Sequence, residues 1–197
     1  QDILRKGLEG PEPAAPLRDG IGQTAGQRDI PKEWVREGGM LLFLTLTNIL
    51  GPGTERTLWA VPLDGGGPPE ALVKGFAVDQ PHVSPDGRWL AYISTESGRF
   101  EVYVQPYRRR GERVRVSSSG GGQPRWRGDG KELFYLALDG SLMAVDVRAG
   151  AAGLELGMPQ TLVTAKVLGA LFEGSDYNDY AVTADGQRFL VRRRVEG

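Results

Sequence analysis

The fold is decided by residues 80–92, which read QPHVSPDGRWLAY. A short strand here is followed by the turn Ser84-Pro85-Asp86-Gly87 and then by an apolar strand. Proline presets φ, aspartate caps the local backbone, and glycine accepts a positive φ, so these residues specify a tight reversal of the chain. The stretch therefore predicts a hairpin of two strands.

The same pattern recurs along the chain, at residues 33–43, 125–135 and 181–191. The last glycine of each turn falls at positions 39, 87, 130 and 186, which gives spacings of 48, 43 and 56 residues. A second apolar pattern follows at residues 57–63, 101–107 and 141–147, with a fourth copy at residues 2–8. Four strands in each repeat of this length are typical of β-propellers. We predict an all-β β-propeller of four-stranded antiparallel blades.

The repeats also predict where the blades begin and end. In the best-preserved unit the strands are expected at residues 80–84, 88–94, 100–106 and 112–118. We predict a single domain over residues 1–197, with blades at 22–75, 76–120 and 121–176 and a fourth blade shared between 177–197 and 1–20. Such sharing would close a four-bladed ring and remove both open sheet edges. Two alternatives stay open, namely a partial larger propeller and a ring completed by several chains.

Composition narrows the classes of function. The 197 residues include 24 Lys and Arg against 25 Asp and Glu, so bulk charge does not favour polyanion binding. The 29 glycines and 13 prolines fit a turn-rich fold, and 40% hydrophobic residues suffice for a core. The absence of cysteine excludes disulfides, thiolate metal sites and cysteine nucleophiles. No signal peptide is visible at Gln1, which fits a cytoplasmic chain, a processed chain or a piece of a longer one.

These residues resemble a known family. Residues 80–92 and 123–135 are similar to the WD40-like (PD40), TolB-type β-propeller repeat of bacteria, although the first repeat has Glu37-Gly38-Gly39 in place of Pro-Asp-Gly. Residues 58–148 resemble the propeller appended to bacterial serine/threonine protein kinases, but the sequence holds no kinase catalytic motif. The resemblance implies a periplasmic or extracytoplasmic location. Any membrane tether would lie in sequence outside this chain.

Several residues are candidates for a site, and we predict none of them as catalytic, cofactor-binding or metal-ligating. Asp86, Asp129 and Asp185 recur at equivalent positions, and each is expected to serve its own turn. His82 is expected on an inner strand beside a central channel, where it would need an acid or nucleophile partner to act as a base. Trp34 and Trp126 are predicted to match each other, with His82 as their counterpart, and to pack between blades.

The charged clusters are expected to be solvated. Arg108-Arg109-Arg110 is predicted in a loop near the rim, and Arg192-Arg193-Arg194 at the end of the last strand, with no nucleic acid as partner. An acidic cluster of Glu173, Asp176, Asn178 and Asp179 offers oxygen ligands but lacks EF-hand spacing, so no metal is predicted. The connection over residues 149–176 is the expected place for family-specific function, because binding residues concentrate on loops.

The sequence thus predicts a non-enzymatic β-propeller scaffold that binds a protein or peptide. This scaffold would be the sensor or ligand-binding part of a larger bacterial receptor or of a TolB-like protein. The alternative is an enzyme or an enzyme-accessory propeller, such as a glycan lyase, a lactonase-like hydrolase or a peptidase gating domain. An oligomer is compatible with either interpretation.

Overall fold

The computed structural model describes residues 4–5, 15–16, 27–36, 38–47, 55–75, 77–150, 153–164 and 178–192. All regular structure in these ranges is β-strand. These ranges contain no helix that is long and apolar enough to cross a membrane. The chain divides into two compact units, residues 1–78 and residues 79–197.

In the first unit, the residues that the structure describes form two antiparallel sheets. Strands β1 (Leu4–Arg5) and β2 (Ala15–Pro16) pair with each other. The larger sheet consists, in chain order, of β3 (Arg28–Val35), β4 (Met40–Thr47), β5 (Glu55–Pro62) and β6 (Glu70–Lys74). Phe43 on β4 lies opposite Trp59 on β5, and their rings stack with centroids 6.4 Å apart. Large apolar residues therefore pair across adjacent strands, as expected of a half-buried sheet.

The described part of the second unit contains three antiparallel sheets. The first has β7 (Asp79–Val83), β8 (Trp89–Ser94), β9 (Glu101–Pro106) and β10 (Val114–Arg115) in chain order. The second has β11 (Gly121–Trp126), β12 (Glu132–Ala137), β13 (Leu142–Gly150), β14 (Gly153–Leu156) and β15 (Gln160–Val163). The third is the hairpin of β16 (Tyr180–Val182) and β17 (Phe189–Val191).

The predicted repeat is visible in the turns. The four turn glycines all have a positive φ, between 55° and 72°, at Gly39, Gly87, Gly130 and Gly186. Each turn joins two antiparallel strands, and the residue four positions before the glycine pairs with the first or second residue of the next strand. The predictions of an all-β fold and of four-stranded antiparallel sheets are confirmed. The single-domain boundaries and the blade shared by the two chain ends stay predictions.

Two details differ from the sequence prediction. Strand β10 spans only Val114–Arg115, because the backbone N of Val102 on β9 donates to the side-chain hydroxyl of Ser117 and not to a backbone carbonyl that would continue the ladder. The second sheet of this unit has five strands, since the long β13 pairs with β15 along its first half and with β14 along its second half. Part of the predicted 149–176 connection is therefore strand and not loop.

The apolar strands are buried on both faces within the second unit. On β12, Leu133 and Tyr135 pack with Ile93 and Val104 of the preceding sheet. Phe134 and Leu136, which point the opposite way, pack with Tyr180 of the following hairpin. Side chains alternate between the faces of a strand, so a strand covered on both sides reads as a continuous apolar run. This arrangement explains the sequence ELFYLA of β12.

The turn after β11 makes a close backbone contact with the turn after β16. Gly128 N donates to Ala184 O at 2.8 Å, and a Cβ added at Gly128 would lie 2.7 Å from the same oxygen. We expect Gly128→Ala to lower the free energy of unfolding by about 1–3 kcal/mol, because the backbone must shift to admit a methyl group. Urea unfolding measures this difference. Gly67→Ala is the matched control, since its Cβ would meet only Pro62 at 3.8 Å; equal losses in both variants would contradict the prediction.

Candidate functional site

The recurring aspartates serve their own turns, in agreement with the sequence interpretation. Asp86 accepts hydrogen bonds from Ser84 Oγ at 2.5 Å and from the backbone N of Arg88 at 3.1 Å. Asp129 and Asp185 accept corresponding bonds from Lys131 N and Gln187 N, both at 3.0 Å. The hydrogen bond from Arg127 lowers the pKa of Asp129 to about 2. Asp129 thus stays ionised near neutral pH, and each of the three carboxylates accepts hydrogen bonds within its own turn.

A row of polar side chains joins consecutive first strands of the second unit. Gln80, Gln123 and Asp179 each lie seven residues before a turn glycine. The side-chain Oε1 of Gln80 accepts from Gln123 N at 2.7 Å, and that of Gln123 accepts from Asp179 N at 2.8 Å. Gln123 Nε2 also donates to Asp179 Oδ2 at 2.7 Å. We call these three residues the first-strand clasp, because the side chains of Gln80 and Gln123 each accept from the backbone of the next repeat and Asp179 accepts from the Gln123 side chain.

The clasp depends on an unusual backbone conformation. Gln80 and Gln123 have φ values of 51° and 53°, in the left-handed region that non-glycine residues rarely adopt. The register of the pairing with the next strand shifts at the same place in both strands. This bulge turns the N–H of Gln123 away from its own sheet and toward Gln80.

His82 lies between two repeats and is half-buried. Its backbone O accepts from Trp126 Nε1 at 3.0 Å, and its Nδ1 accepts from Trp126 N at 3.4 Å. Burial, and then the nearby positive charge of Arg125, lower the pKa of His82 to about 3. A group with this pKa is a poor general base at neutral pH. The imidazole therefore acts here as a neutral acceptor that links two strands.

The prediction that the tryptophans pack between repeats is confirmed for Trp126 and is wrong for Trp34. Trp126 is buried against Ala91 and Val104, whereas Trp34 exposes 70% of its surface. The predicted match between the two tryptophans is also wrong. Trp126 occupies the strand position that Val35 and Val83 occupy in their own hairpins. Trp34 lies one residue earlier and therefore corresponds to His82. An offset of one residue moves a side chain to the other face of a strand.

The acidic cluster is partly accounted for by protein partners. Asp179 is buried, receives Gln123 on one carboxylate oxygen, and forms an ion pair with Arg192. Asn178 Oδ1 accepts from Arg125 Nη2. Glu173 and Asp176 lie outside the described residues, and among those described no group of three acidic or histidine side chains is arranged to hold a metal ion.

The two arginine runs lie next to the strands predicted for them, as far as the structure describes them, and a position near the rim stays a prediction. Arg108, Arg109 and Arg110 are exposed in the connection between β9 and β10. Arg192 follows β17, and its backbone N donates to Asp179 O at 2.7 Å. Arg193 and Arg194 lie outside the described residues.

A buried carboxylate that the sequence analysis did not single out anchors the end of the first sheet of the second unit. Glu101 is fully buried. It accepts from the Ser117 hydroxyl, from Gly120 N at 2.9 Å and from Arg99 Nε at 2.8 Å. Ser117 Oγ in turn accepts from Val102 N at 2.9 Å. The carboxylate thereby fixes the chain that leads from β10 to β11.

The depressed pKa of His82 predicts a specific loss of stability in mild acid. The unfolded chain binds a proton near the ordinary pKa of 6.5, whereas the folded chain does so only near 3. Stability that is present above pH 6.5 is therefore lost as the pH falls toward 3. We expect the free energy of unfolding to fall by about 2 kcal/mol between pH 7 and pH 5. Because His82 is the only histidine, His82→Gln should flatten this dependence in urea titrations, and an unchanged slope would contradict the assignment.

Comparisons with known proteins agree with the repeat. No family model matches the sequence. The TolB protein of Methylococcus capsulatus is 34% identical over 86 residues, which are 43% of this chain and 20% of that protein. The structure of TolB from Acinetobacter baumannii matches with a TM-score of 0.62 and 17% identity, over 94% of this chain and 41% of that one. A puromycin-hydrolyzing peptidase of Mycobacterium tuberculosis matches with a TM-score of 0.58 and 23% identity, over 82% of this chain and 27% of that one.

These matches show the fold. The chain has the TolB-type β-propeller fold, and it spans less than half the length of each of these proteins. The predicted resemblance to TolB-like propellers is confirmed, while the similarity to kinase-associated propellers stays a prediction.

Proposed function

We propose that the chain is a non-enzymatic β-propeller scaffold that binds a protein or peptide, as the sensor or ligand-binding part of a larger bacterial receptor or TolB-like protein. The observation that carries this proposal is the set of polar groups along the first strands of the second unit. His82 and Arg125 occupy the position five residues before the turn glycine, and Ala181 occupies the same position on β16. Their strands are locked together by the first-strand clasp.

The chemistry of this row supports binding and not catalysis. The imidazole of His82 is neutral and already accepts a hydrogen bond, and the guanidinium of Arg125 is held by Pro124 O at 2.8 Å and by Asn178. Groups fixed in this way lose little conformational entropy when a ligand arrives. A guanidinium beside a side-chain amide suits a backbone carbonyl or a carboxylate of a bound peptide.

Selection of a displayed peptide library against the chain tests the proposal. We expect peptides whose affinity falls about tenfold or more in Arg125→Glu, as for removal of a charged hydrogen bond at an interface. Lys131→Glu is the control, because Lys131 is exposed on a turn away from this row. If no selected peptide depends on Arg125, or if the control weakens binding equally, the row is not the binding site.

The second candidate, an accessory domain of a peptidase, is favoured by the likeness to the puromycin-hydrolyzing peptidase. Under this hypothesis the domain would control access to a catalytic domain supplied by other sequence. A screen of peptide and ester substrates with the chain and with His82→Ala tests a separate alternative, that the chain is itself an enzyme. Reproducible turnover that the substitution abolishes would overturn the non-enzymatic proposal.

A further inference from the structure

The connection between β9 and β10 carries a local excess of positive charge. Residues 106–115 contain five arginines and one glutamate, a net charge of +4, whereas the whole chain has −1. All five arginines are exposed. Arg88 is a neighbour, because its backbone O accepts from Tyr107 N at 2.8 Å. We call Arg88, Arg108–Arg110, Arg113 and Arg115 the arginine edge.

The arginine edge surrounds a strand with one open side. Among the described strands, β10 is the last of its sheet and pairs only with β9. Val116 N donates inward to Val102 O at 2.8 Å. Neighbouring residues of an edge strand direct their backbone groups in opposite directions, so the N–H and C=O of Arg115 point away from the sheet. This pair of groups is a template for one more strand.

The open strand is held rigidly. Glu101 fixes the residues that follow β10 through Ser117 and Gly120. Arg113 forms an ion pair with Glu96 at 2.6 Å, which holds the residue that precedes the strand. Arg109, Arg110 and Arg115, by contrast, form no ion pair with another described residue, so their charges are available to a partner.

We propose that the β10 edge binds an extended acidic segment of a partner protein by strand addition, with the free guanidinium groups pairing with its carboxylates. This inference deepens the proposed protein-binding function and rests on it. The outward N–H and C=O of Arg115 recognise a peptide backbone, which neither a lipid nor a nucleic acid possesses. Guanidinium groups bind carboxylates in a bidentate manner, and this pairing adds specificity for acidic side chains.

The surroundings of the edge disfavour other polyanions. The exposed large hydrophobic residues among those described lie outside this sheet, at Trp34, Leu138, Met158, Leu162, Val163 and Leu190. The edge therefore lacks an apolar anchor for a membrane and an exposed ring on which bases could stack. Arginines also protect edge strands from aggregation, and this simpler role would require charge but no strand pairing.

Fluorescence anisotropy with a synthetic ten-residue peptide of alternating Glu and Thr tests the charge. We expect Arg109→Glu/Arg110→Glu to weaken its binding about tenfold or more, since like charges then face each other. Arg36→Glu/Lys131→Glu makes the same charge change at exposed positions outside the arginine edge and should leave binding within about twofold. Circular dichroism of each variant verifies that it is folded.

Two substitutions of Arg115 test the strand pairing. Arg115→Gln and Arg115→Pro both remove the charge, but only proline removes the outward N–H. We expect the proline variant to bind the peptide about fivefold or more weakly than the glutamine variant, for loss of one backbone hydrogen bond. The same peptide with alternate backbone nitrogens methylated should bind as weakly as the unmethylated peptide binds the proline variant.

The possible outcomes are decisive. Equal binding by the glutamine and proline variants, stronger binding to phosphatidylglycerol vesicles than to the peptide, or no binding to the peptide would each overturn the inference. If library peptides that depend on Arg125 still bind the chain in any of these cases, the proposed function stands and only this inference fails.

Discussion

Replacing Gln123 by alanine should lower the free energy of unfolding of the second unit by about 3–5 kcal/mol. Gln123 is buried, and its side chain both donates to Asp179 Oδ2 and accepts from Asp179 N. The substitution leaves a buried N–H without an acceptor and a buried carboxylate with one partner fewer. Such orphaned groups cost more than an average hydrogen bond contributes.

Urea unfolding monitored by tryptophan fluorescence measures the loss, and two further variants separate its causes. Gln123→Gly removes the same side-chain bonds but accepts the φ of 53° without strain, so its difference from Gln123→Ala reports the net backbone effect of glycine at this position. Gln160→Ala, on the exposed strand β15, is the control and should change stability by less than about 0.5 kcal/mol. A loss below about 1 kcal/mol in Gln123→Ala would show that the clasp contributes little.

The double variant Gln123→Ala/Asp179→Ala should lose less stability than the sum of the two single losses. Removing both partners leaves fewer unpaired buried groups than the two single substitutions leave together, because only the backbone N of residue 179 still lacks an acceptor. Additive losses would mean that the two side chains do not interact in solution.

The second large effect is expected at Glu101. Glu101→Ala should lower the free energy of unfolding by about 3–4 kcal/mol. The substitution leaves Gly120 N and the Ser117 hydroxyl without their acceptor and opens a cavity beside Val102. Glu101→Gln keeps the shape and should cost about 1 kcal/mol, since Arg99 is largely exposed and its charge is screened. Thermal and urea unfolding give both values.

Glu112→Ala is the matched control for Glu101→Ala, because Glu112 is an exposed glutamate in the connection between β9 and β10 of the same sheet. Its effect should lie within about 0.5 kcal/mol of zero. Equal effects at the two glutamates would refute a structural role for the buried one.

The hairpins of this chain could be predicted because their signals are local. Ser84 to Gly87 and their counterparts specify the turns, and apolar runs such as ELFYLA specify strands covered on both faces. The partners of Gln80 and Gln123 lie 43 and 56 residues further along the chain, so their roles appear only after the sheets are placed side by side.

One signal for the clasp was nevertheless present. A glutamine followed by proline recurs seven residues before the turn glycine in two repeats, and an aspartate occupies this position in a third. Trp34 lies five residues before its turn glycine, whereas Trp126 lies four residues before its own, so the two tryptophans are not equivalent. Because side chains of a strand alternate between its two faces, this difference of one residue places one tryptophan on the buried face and the other on the exposed face.

The first-strand clasp has a consequence for how such chains can grow. The repeat that holds Gln123 contributes a side-chain acceptor to the repeat after it and a backbone N–H to the repeat before it, so both halves of the joint are encoded within one repeat. Tandem duplication of the gene segment for this repeat would add both the acceptor and the N–H of a new joint. Deletion of the segment would leave an acceptor in the repeat before it and an N–H in the repeat after it, and these two groups could then pair. Changes in repeat number therefore need no compensating mutation at this joint.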